Sequence, residues 1–326
     1  MSDARSASIK AVIDIGSNSI KLRVARCRGA RVDVSLDTTE VVRLGRGFVD
    51  GGICERAMDD AVRVITDMVE SARGMGAEPR LLGTMALRMA TNAGELSRRI
   101  HAATGLDVRV LSGEDEARYA WKGAVAGFPD DVVPHGRDLV MFDTGGGSTE
   151  LVFGHRGGEP EKILSVPVGA VSLSERFFVE DPVKRSAVDA AQAHVRGLLA
   201  ASGIERARPD VAPIVVGLGG GVVAMASVKG AFEEFVPVKL HGMELTRRDL
   251  TQQIALYSML TLEERQEVVG LPPSRADAVL GSACIVLCAL SALSVPSCIL
   301  SINGLRHGAL IEMFEEEGRL PHGAGA

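Results

Sequence analysis

Aromatic side chains are scarce in this chain: Phe, Trp and Tyr together supply 4% of it, with one Trp. Any core must be packed from Val, Leu, Ala, Ile and Met, and the 46% hydrophobic content is enough for that. Cysteine is sparse and unpatterned. Cys27, Cys54, Cys284, Cys288 and Cys298 form an odd set without a CxxC pair, which argues against a disulfide framework and fits reduced, mostly buried thiols. An excess of basic charge is also missing. Lys and Arg number 36 against 42 Asp and Glu, a net charge of −6, which argues against a nucleic-acid scaffold. A polyanionic ligand must then be met by a local basic patch or by a metal ion. The first residues, MSDARSASIKAVIDIG, carry no apolar core with a cleavage site, so a cytoplasmic protein is expected. The one long uncharged stretch, residues 278–305, is interrupted by Pro296 and diluted by Gly281, Ser282, Ser291 and Ser294. It reads as a buried helix of about 16 to 18 residues with a short strand after it, not as a membrane span.

What is present is a short pattern written twice. AVIDIGSNSIKLRV, from Ala11, and VMFDTGGGSTELVF, from Val140, superpose so that Asp14 meets Asp143, Gly16 meets Gly145, Ser19 meets Ser148 and Leu22 meets Leu151. Each copy reads as a β-branched apolar strand ending in Asp, a tight turn of Gly, Ser or Asn, and an alternating second strand. Lys21 and Arg23 fall on the outward positions of that second arm and are expected to be solvated. Facing hairpins of this kind would form a cleft with paired carboxylates and free backbone N–H groups, suited to phosphate and a metal ion.

Length favours two domains, because single cores stop growing at roughly 250 to 300 residues. After the first hairpin the pattern predicts a strand over residues 31–36, a Gly- and Arg-rich loop, a helix over 54–75 and strands and helices alternating up to a helix opening at Ser112. The second hairpin opens a similar run. Strands are expected over 162–167, 213–218 and 298–302, and helices over 174–178, 181–202, 246–258, 262–268 and 305–317. A boundary falls in 127–138, where Pro, Asp and Gly cluster. The expected domains are 1–132, with 304–326 packing back on it, and 133–303.

Six segments taken in order resemble the exopolyphosphatase and guanosine pentaphosphate phosphohydrolase (Ppx/GppA) family of the actin, hexokinase and Hsp70 superfamily. They are VIDIGSNS, VRLGRG, GTMALRMATNA, SGEDEAR, FDTGGGSTEL and GLPPSRAD. The resemblance runs from about Lys10 to Phe314 and matches the short, two-domain form. It implies an α/β fold of two duplicated ribonuclease H-like (actin-like ATPase) domains with the active site in an interdomain cleft. The chain departs from the family pattern at Ser172, where Arg is usual, at Gly221, where Thr is frequent, and at Ile302, where Asp is usual.

A terminal phosphoanhydride needs mainly a positioned water and neutralisation of spreading charge. Gly16, Ser17, Asn18 and Ser19 in one turn, and Gly145, Gly146, Gly147, Ser148 and Thr149 in the other, are the candidate phosphate cradles, although glycines also simply permit tight hairpins. Asp14 and Asp143 end apolar strands, and Mg²⁺ would relieve their repulsion of phosphate, with Glu150 helping to hold metal or water; strand-end Asp can instead bond turn amides. The resemblance places the general base at Glu116, although Glu114, Asp115 and Glu116 would also serve as first-turn acids of a helix capped by Ser112. Arg88 is the candidate phosphate clamp, with Arg43 and Arg46 weaker ones. Residues 217–225, GLGGGVVAM, fit either a nucleotide-base site or a strand-to-helix turn, and His241 and His307 read as structural. The expected activity is release of terminal phosphate from inorganic polyphosphate or from guanosine pentaphosphate. A kinase of the superfamily and a non-catalytic sensor of alarmone or polyphosphate are the alternatives. The expected partners are polyphosphate or guanosine penta- or tetraphosphate and a second copy of the chain, with no nucleic acid and no membrane.

Overall fold

A computed structural model describes residues 8–29, 31–49, 51–204 and 212–321, with the side chains of residues 46–49, Arg46 among them, outside the description. The chain divides into two compact units, Met1–Ala126 with Leu305–Gly325, and Gly127–Gly304.

The first unit opens with β1 (Ile9–Ile15), β2 (Ser19–Arg28) and β3 (Arg31–Val41), followed by the small pair β4 (Phe48–Val49) and β5 (Gly52–Ile53). Then come α1 (Glu55–Gly74), β6 (Pro79–Gly83), α2 (Met85–Met89), α3 (Ala93–Thr104), β7 (Val108–Val110) and α4 (Gly113–Val125). The main sheet has the order β3-β2-β1-β6-β7, with the first three strands antiparallel and the last two joined in parallel. One face of this sheet is packed by α1, whose Met58, Ala61, Ile65, Met68 and Val69 recur at helical spacing and are buried with Ile13, Ile15 and Leu22.

The second unit contains β8 (Asp138–Thr144), β9 (Thr149–His155), β10 (Lys162–Val166), α5 (Ala170–Phe177), α6 (Arg185–Ala201), β11 (Ile214–Leu218) and α7 (Gly220–Gly230). It continues through α8 (Pro237–Leu240), β12 (Glu244–Thr246), α9 (Arg247–Met259), α10 (Leu262–Gln266), α11 (Val279–Ala292) and β13 (Ser297–Leu300). The sheet order is β10-β9-β8-β11-β13-β12. Its first five strands repeat the first sheet strand for strand, three antiparallel and then two parallel, so the hairpin duplication extends to the whole sheet. The uncharged stretch forms α11, most of which is buried among apolar side chains, and is shorter than expected because the chain turns at residues 293–296 before β13. Among the described residues no helix is long and apolar enough to cross a membrane.

The last helix, α12 (Leu305–Glu316), belongs to the first unit. It packs on α4 through Ala309, Leu310, Met313 and Phe314, and Tyr119 and Lys122 of α4 bond to Glu312 and Glu315 of α12. Burial and the Glu312 bond push the Tyr119 phenol up to about 12. Arg23, expected to be solvated, is instead 5% exposed. Strand β2 lies between β1 and β3, and Arg23 bonds Asp37 of β3, which also receives Arg306 at the start of α12. Burial opposes ionisation of Asp37, but the two guanidiniums outweigh it and hold the carboxyl below its ordinary range.

Candidate functional site

In the first unit, β1, β6 and β7 run parallel with Ile15 beside Gly83 and Gly83 beside Val110, so three segments leave the same sheet edge. They are the turn after β1, Thr84 with α2, and Leu111 leading to α4. This carboxyl edge is where open α/β sheets receive ligands.

The turn is tied from outside. Gly16 N–H donates to Ser19 O at 3.1 Å, Ser17 O accepts from Gly45 N–H at 2.7 Å, and Asn18 O accepts from Val42 and Arg43 N–H at 3.2 and 2.8 Å. With its carbonyls so occupied, the turn keeps the N–H groups of Ser17 and Asn18, which donate to no backbone carbonyl among the described residues. Uncommitted successive amides make an anion-binding concavity. Arg43 sits at φ 59°, an uncommon conformation for a residue with a side chain, so the loop that clamps the turn is itself strained. Asp14 closes β1 at 9% exposure, and its Oδ1 has no hydrogen-bond partner among the described residues.

Thr84 N–H donates to Ile15 O and fixes α2 against the end of β1, which carries Arg88 to the same edge. Arg88 Nη1 donates to Leu111 O at 2.8 Å and to Glu116 Oε2 at 3.1 Å. Both side chains are about one-third exposed, at 33% and 34%. Glu116 rides on the first turn of α4, where the Ser112 hydroxyl accepts from Asp115 N–H at 3.0 Å as the capping pattern predicts. The two residues expected to act together are thus in contact although they lie on different helices.

The second unit repeats the plan. Gly145 N–H donates to Ser148 O at 2.9 Å, matching Gly16 and Ser19. Here the start of α5 does the tying: Ala170 N–H donates to Gly145 O, and Val171 and Ser172 N–H to Gly146 O, at 2.9 to 3.1 Å. The N–H groups of Gly146, Gly147 and Ser148 donate to no backbone carbonyl among the described residues. The approach of α5 is close enough that a Cβ on Gly169 would fall 2.3 Å from Gly146 C and Gly147 N. Thr149 and Ser19 are buried, and the Thr149 hydroxyl donates to Val168 O at 2.7 Å, so that side chain braces its hairpin.

The carboxylates differ between the copies. In the first hairpin Asp14 stands opposite Lys21. In the second, Asp143 stands opposite Glu150, and Glu150 accepts from the Ser165 hydroxyl at 3.1 Å. Like charges directly opposite across a ladder destabilise it, so a cation is favoured there. The two carboxylates of this hairpin suit a hard ion that takes one or two carboxylates plus ligand oxygens, and in the first unit Asp14 Oδ1 stands without a hydrogen-bond partner among the described residues. Among the described residues no group of three or more His, Cys, Asp or Glu side chains gathers into a fuller metal cage.

Residues 217–225 are the end of β11 and the start of α7. Gly219 has φ +97°, and a Cβ there would meet Asp143 Oδ1 at 2.9 Å, so this turn walls the carboxylate. A Cβ on Gly220 would meet Arg275 Nη2 at 2.5 Å, placing that guanidinium at the same turn. Arg275 has no expected role from the sequence; the signal for it was its position as the sole base of GLPPSRAD. Two of the three departures, Ser172 and Gly221, also have local explanations. The Ser172 hydroxyl accepts from Gly169 N–H at 3.0 Å and so caps α5, and a Cβ on Gly221 would lie 2.2 Å from Ser282 Oγ, so that site is closed to Thr while Ser282 is present. His241 stacks on Phe128 at 4.3 Å between ring centroids, and burial lowers its pKa.

Two copies of a sheet with three antiparallel and two parallel strands, each bearing a glycine and serine turn at the carboxyl edge of its first strand, define the two-domain actin-like class. Within that class the chain belongs to the Ppx/GppA phosphatase family, whose model matches residues 24–317. It is 29% identical over 322 residues to exopolyphosphatase 1 of Mycobacterium bovis, covering 94% of this chain and 88% of the relative. Exopolyphosphatase 1 of Mycobacterium leprae is also 29% identical, over 318 residues, with 94% and 89% covered. Among solved structures, the Aquifex aeolicus Ppx/GppA family member superposes with a TM-score of 0.83 at 28% identity, covering 95% of this chain and 99% of that one.

Proposed function

We propose that this chain is a phosphohydrolase that removes the terminal phosphate from inorganic polyphosphate, or from guanosine pentaphosphate, by magnesium-assisted in-line attack of water. The observation that carries the reading is the Arg88 to Glu116 contact of 3.1 Å at the sheet edge that also bears the Gly16–Ser19 turn. Arg88 is held through Leu111 O, so its remaining N–H donors can turn to phosphate oxygens. A phosphate that draws the guanidinium away leaves Glu116 as a carboxylate able to take a proton from water within hydrogen-bond reach. Uncommitted amides of the Gly16–Ser19 turn, on the same sheet edge as Arg88, receive the charge that spreads over the transferring group, and those of Gly146, Gly147 and Ser148 are the equivalent donors of the second unit. Asp143 and Glu150 of the second hairpin would hold Mg²⁺, which supplies a hard positive centre for phosphate oxygens, and Asp14 is the corresponding carboxylate of the first hairpin. The mycobacterial relatives' name supports polyphosphate as the substrate.

The test is phosphate release from polyphosphates of defined length and from guanosine pentaphosphate, with Mg²⁺ or chelator, in wild type and Glu116→Gln. Loss of about 10²- to 10⁴-fold in kcat with little change in KM is expected for the variant. Unchanged turnover in Glu116→Gln removes the base assignment. Tight binding without turnover by the wild type favours a sensor, and ATP consumption only with an acceptor favours a kinase.

A further inference from the structure

A second cluster of arginines lies in the second unit, away from its turn. A cavity of about 730 Å³ is lined by Arg196 of α6, Arg247 and Arg248 of α9, and side chains of α11 including Cys288 and Ser291. That volume falls in the range of small-molecule sites. No Asp or Glu lines it, in a chain where acids outnumber bases 42 to 36. All three arginines are exposed, and none forms an ion pair among the described residues. The nearest acid on α9, Asp249, is already engaged by Lys229 and by Thr246. Two cations in the first turn of α9 also oppose its dipole, offset there by Asp249 of the capping box.

Topology fixes where this cavity lies. Thr246 pairs with Ser297 at the start of β13, and Arg247 N–H donates to Pro296 O. Strand β13 runs parallel to β11 and β8, so the cavity borders the amino edge of a sheet whose carboxyl edge carries Gly145–Ser148. Helix α11 spans the two. A Cβ on Gly281 would meet Ala170 O, beside the turn, at 2.4 Å, while Ser291 lines the cavity. The ten steps from Gly281 to Ser291 correspond to roughly 15 Å of helix.

We infer that this cavity binds a multivalent phosphate, separately from the turn at the other edge of the sheet. Three guanidinium groups from two helices suit an ion with several phosphoryl groups, and the hydroxyls of Thr251 and Ser291, which donate to their own helices, remain acceptors for phosphate-bound water. The ligand is either a linear oligophosphate or the phosphate tail of a nucleotide.

Calorimetric titration of the full chain with methylene-bridged, non-hydrolysable triphosphate, and with the corresponding nucleoside triphosphate analogue, tests this without relying on turnover. Arg196→Gln/Arg248→Gln is expected to weaken one set of sites by tenfold or more, and Arg196→Lys/Arg248→Lys to weaken it less. Gly169→Ala, which disturbs the turn, is expected to leave that set intact, so this site survives even if the hydrolase reading fails. Whichever analogue is lost in the Gln variant identifies the source of the phosphate. Identical isotherms for wild type and the Gln variant, with circular dichroism showing both folded, overturn the inference. Equal displacement by sulfate at the same concentration also overturns it.

Discussion

Substituting Gly169 by alanine tests whether the second turn depends on the packing of α5. The added Cβ would lie 2.3 Å from Gly146 C and Gly147 N, against at least 3.4 Å for ordinary contact, so backbone must move by about 1.1 Å. Overpacking of this kind costs about 1–3 kcal/mol, or roughly 2–12 °C in Tm for a unit of this size. A displacement of about 1 Å in a positioning element costs on the order of 10²-fold in rate. The matched control is Gly146→Ala, whose Cβ would meet Val171 Cγ2 at an ordinary 3.6 Å and should leave Tm within about 2 °C of wild type. Phosphate release gives kcat/KM, and thermal melts give Tm. Wild-type kcat/KM in Gly169→Ala, or an equal Tm loss in both variants, refutes the reasoning.

Other substitutions follow from packing and charge. Gly221→Ala should cost about 1–3 kcal/mol against Ser282, and adding Ser282→Gly should recover part of it, a coupling readable from denaturant melts of the two single variants and the double. Asp37→Asn leaves the buried Arg23 without its carboxylate. A loss of about 1–3 kcal/mol is expected, less than for a fully enclosed pair because Asp37 is 28% exposed. The Asp37 carboxyl is held low, so its contribution is complete above the ordinary carboxylate pKa and is lost as pH falls through the lowered one; Asn should flatten that acid limb in melts taken across pH. His241 titrates below its ordinary value of 6.5, so the unfolded chain binds its proton first. Stability should therefore fall as pH drops below about 6.5, and His241→Phe should reduce that slope.

The hairpins are legible because an apolar strand ending in Asp and a turn of small residues are both local signals, and the observed registers pair Asp14 with Lys21 and Asp143 with Glu150 across them. What escapes the sequence depends on neighbours. Helix α5 begins at Ala170 because Gly169 approaches the turn and the Ser172 hydroxyl caps it, a contact with residues more than twenty positions earlier. Helix α6 starts at Arg185, after a bend at residues 180–182 that the helical periodicity of the sequence does not reveal. Strand β12 is three residues long and exists through its pairing with β13, and α2 is only five residues. Arg23 looks solvated by alternation, yet Asp37 and Arg306 enclose it from separate segments. At the site, the residue types of each turn are readable in order, whereas the Arg88 to Glu116 contact and the position of Arg275 emerge only once α2, α4 and α7 are in place.

The return of α12 to α4 has a consequence for synthesis. A ribosome delivers Met1–Ala126 first, but the surface built from Tyr119, Leu82 and Val12 waits for Leu310 and Phe314, some two hundred residues later in the chain. The unit encoded between them, Gly127–Gly304, has all of its own strands before that happens. Of the two units, the one whose first segment is synthesised earlier is therefore the one whose last segment is synthesised later.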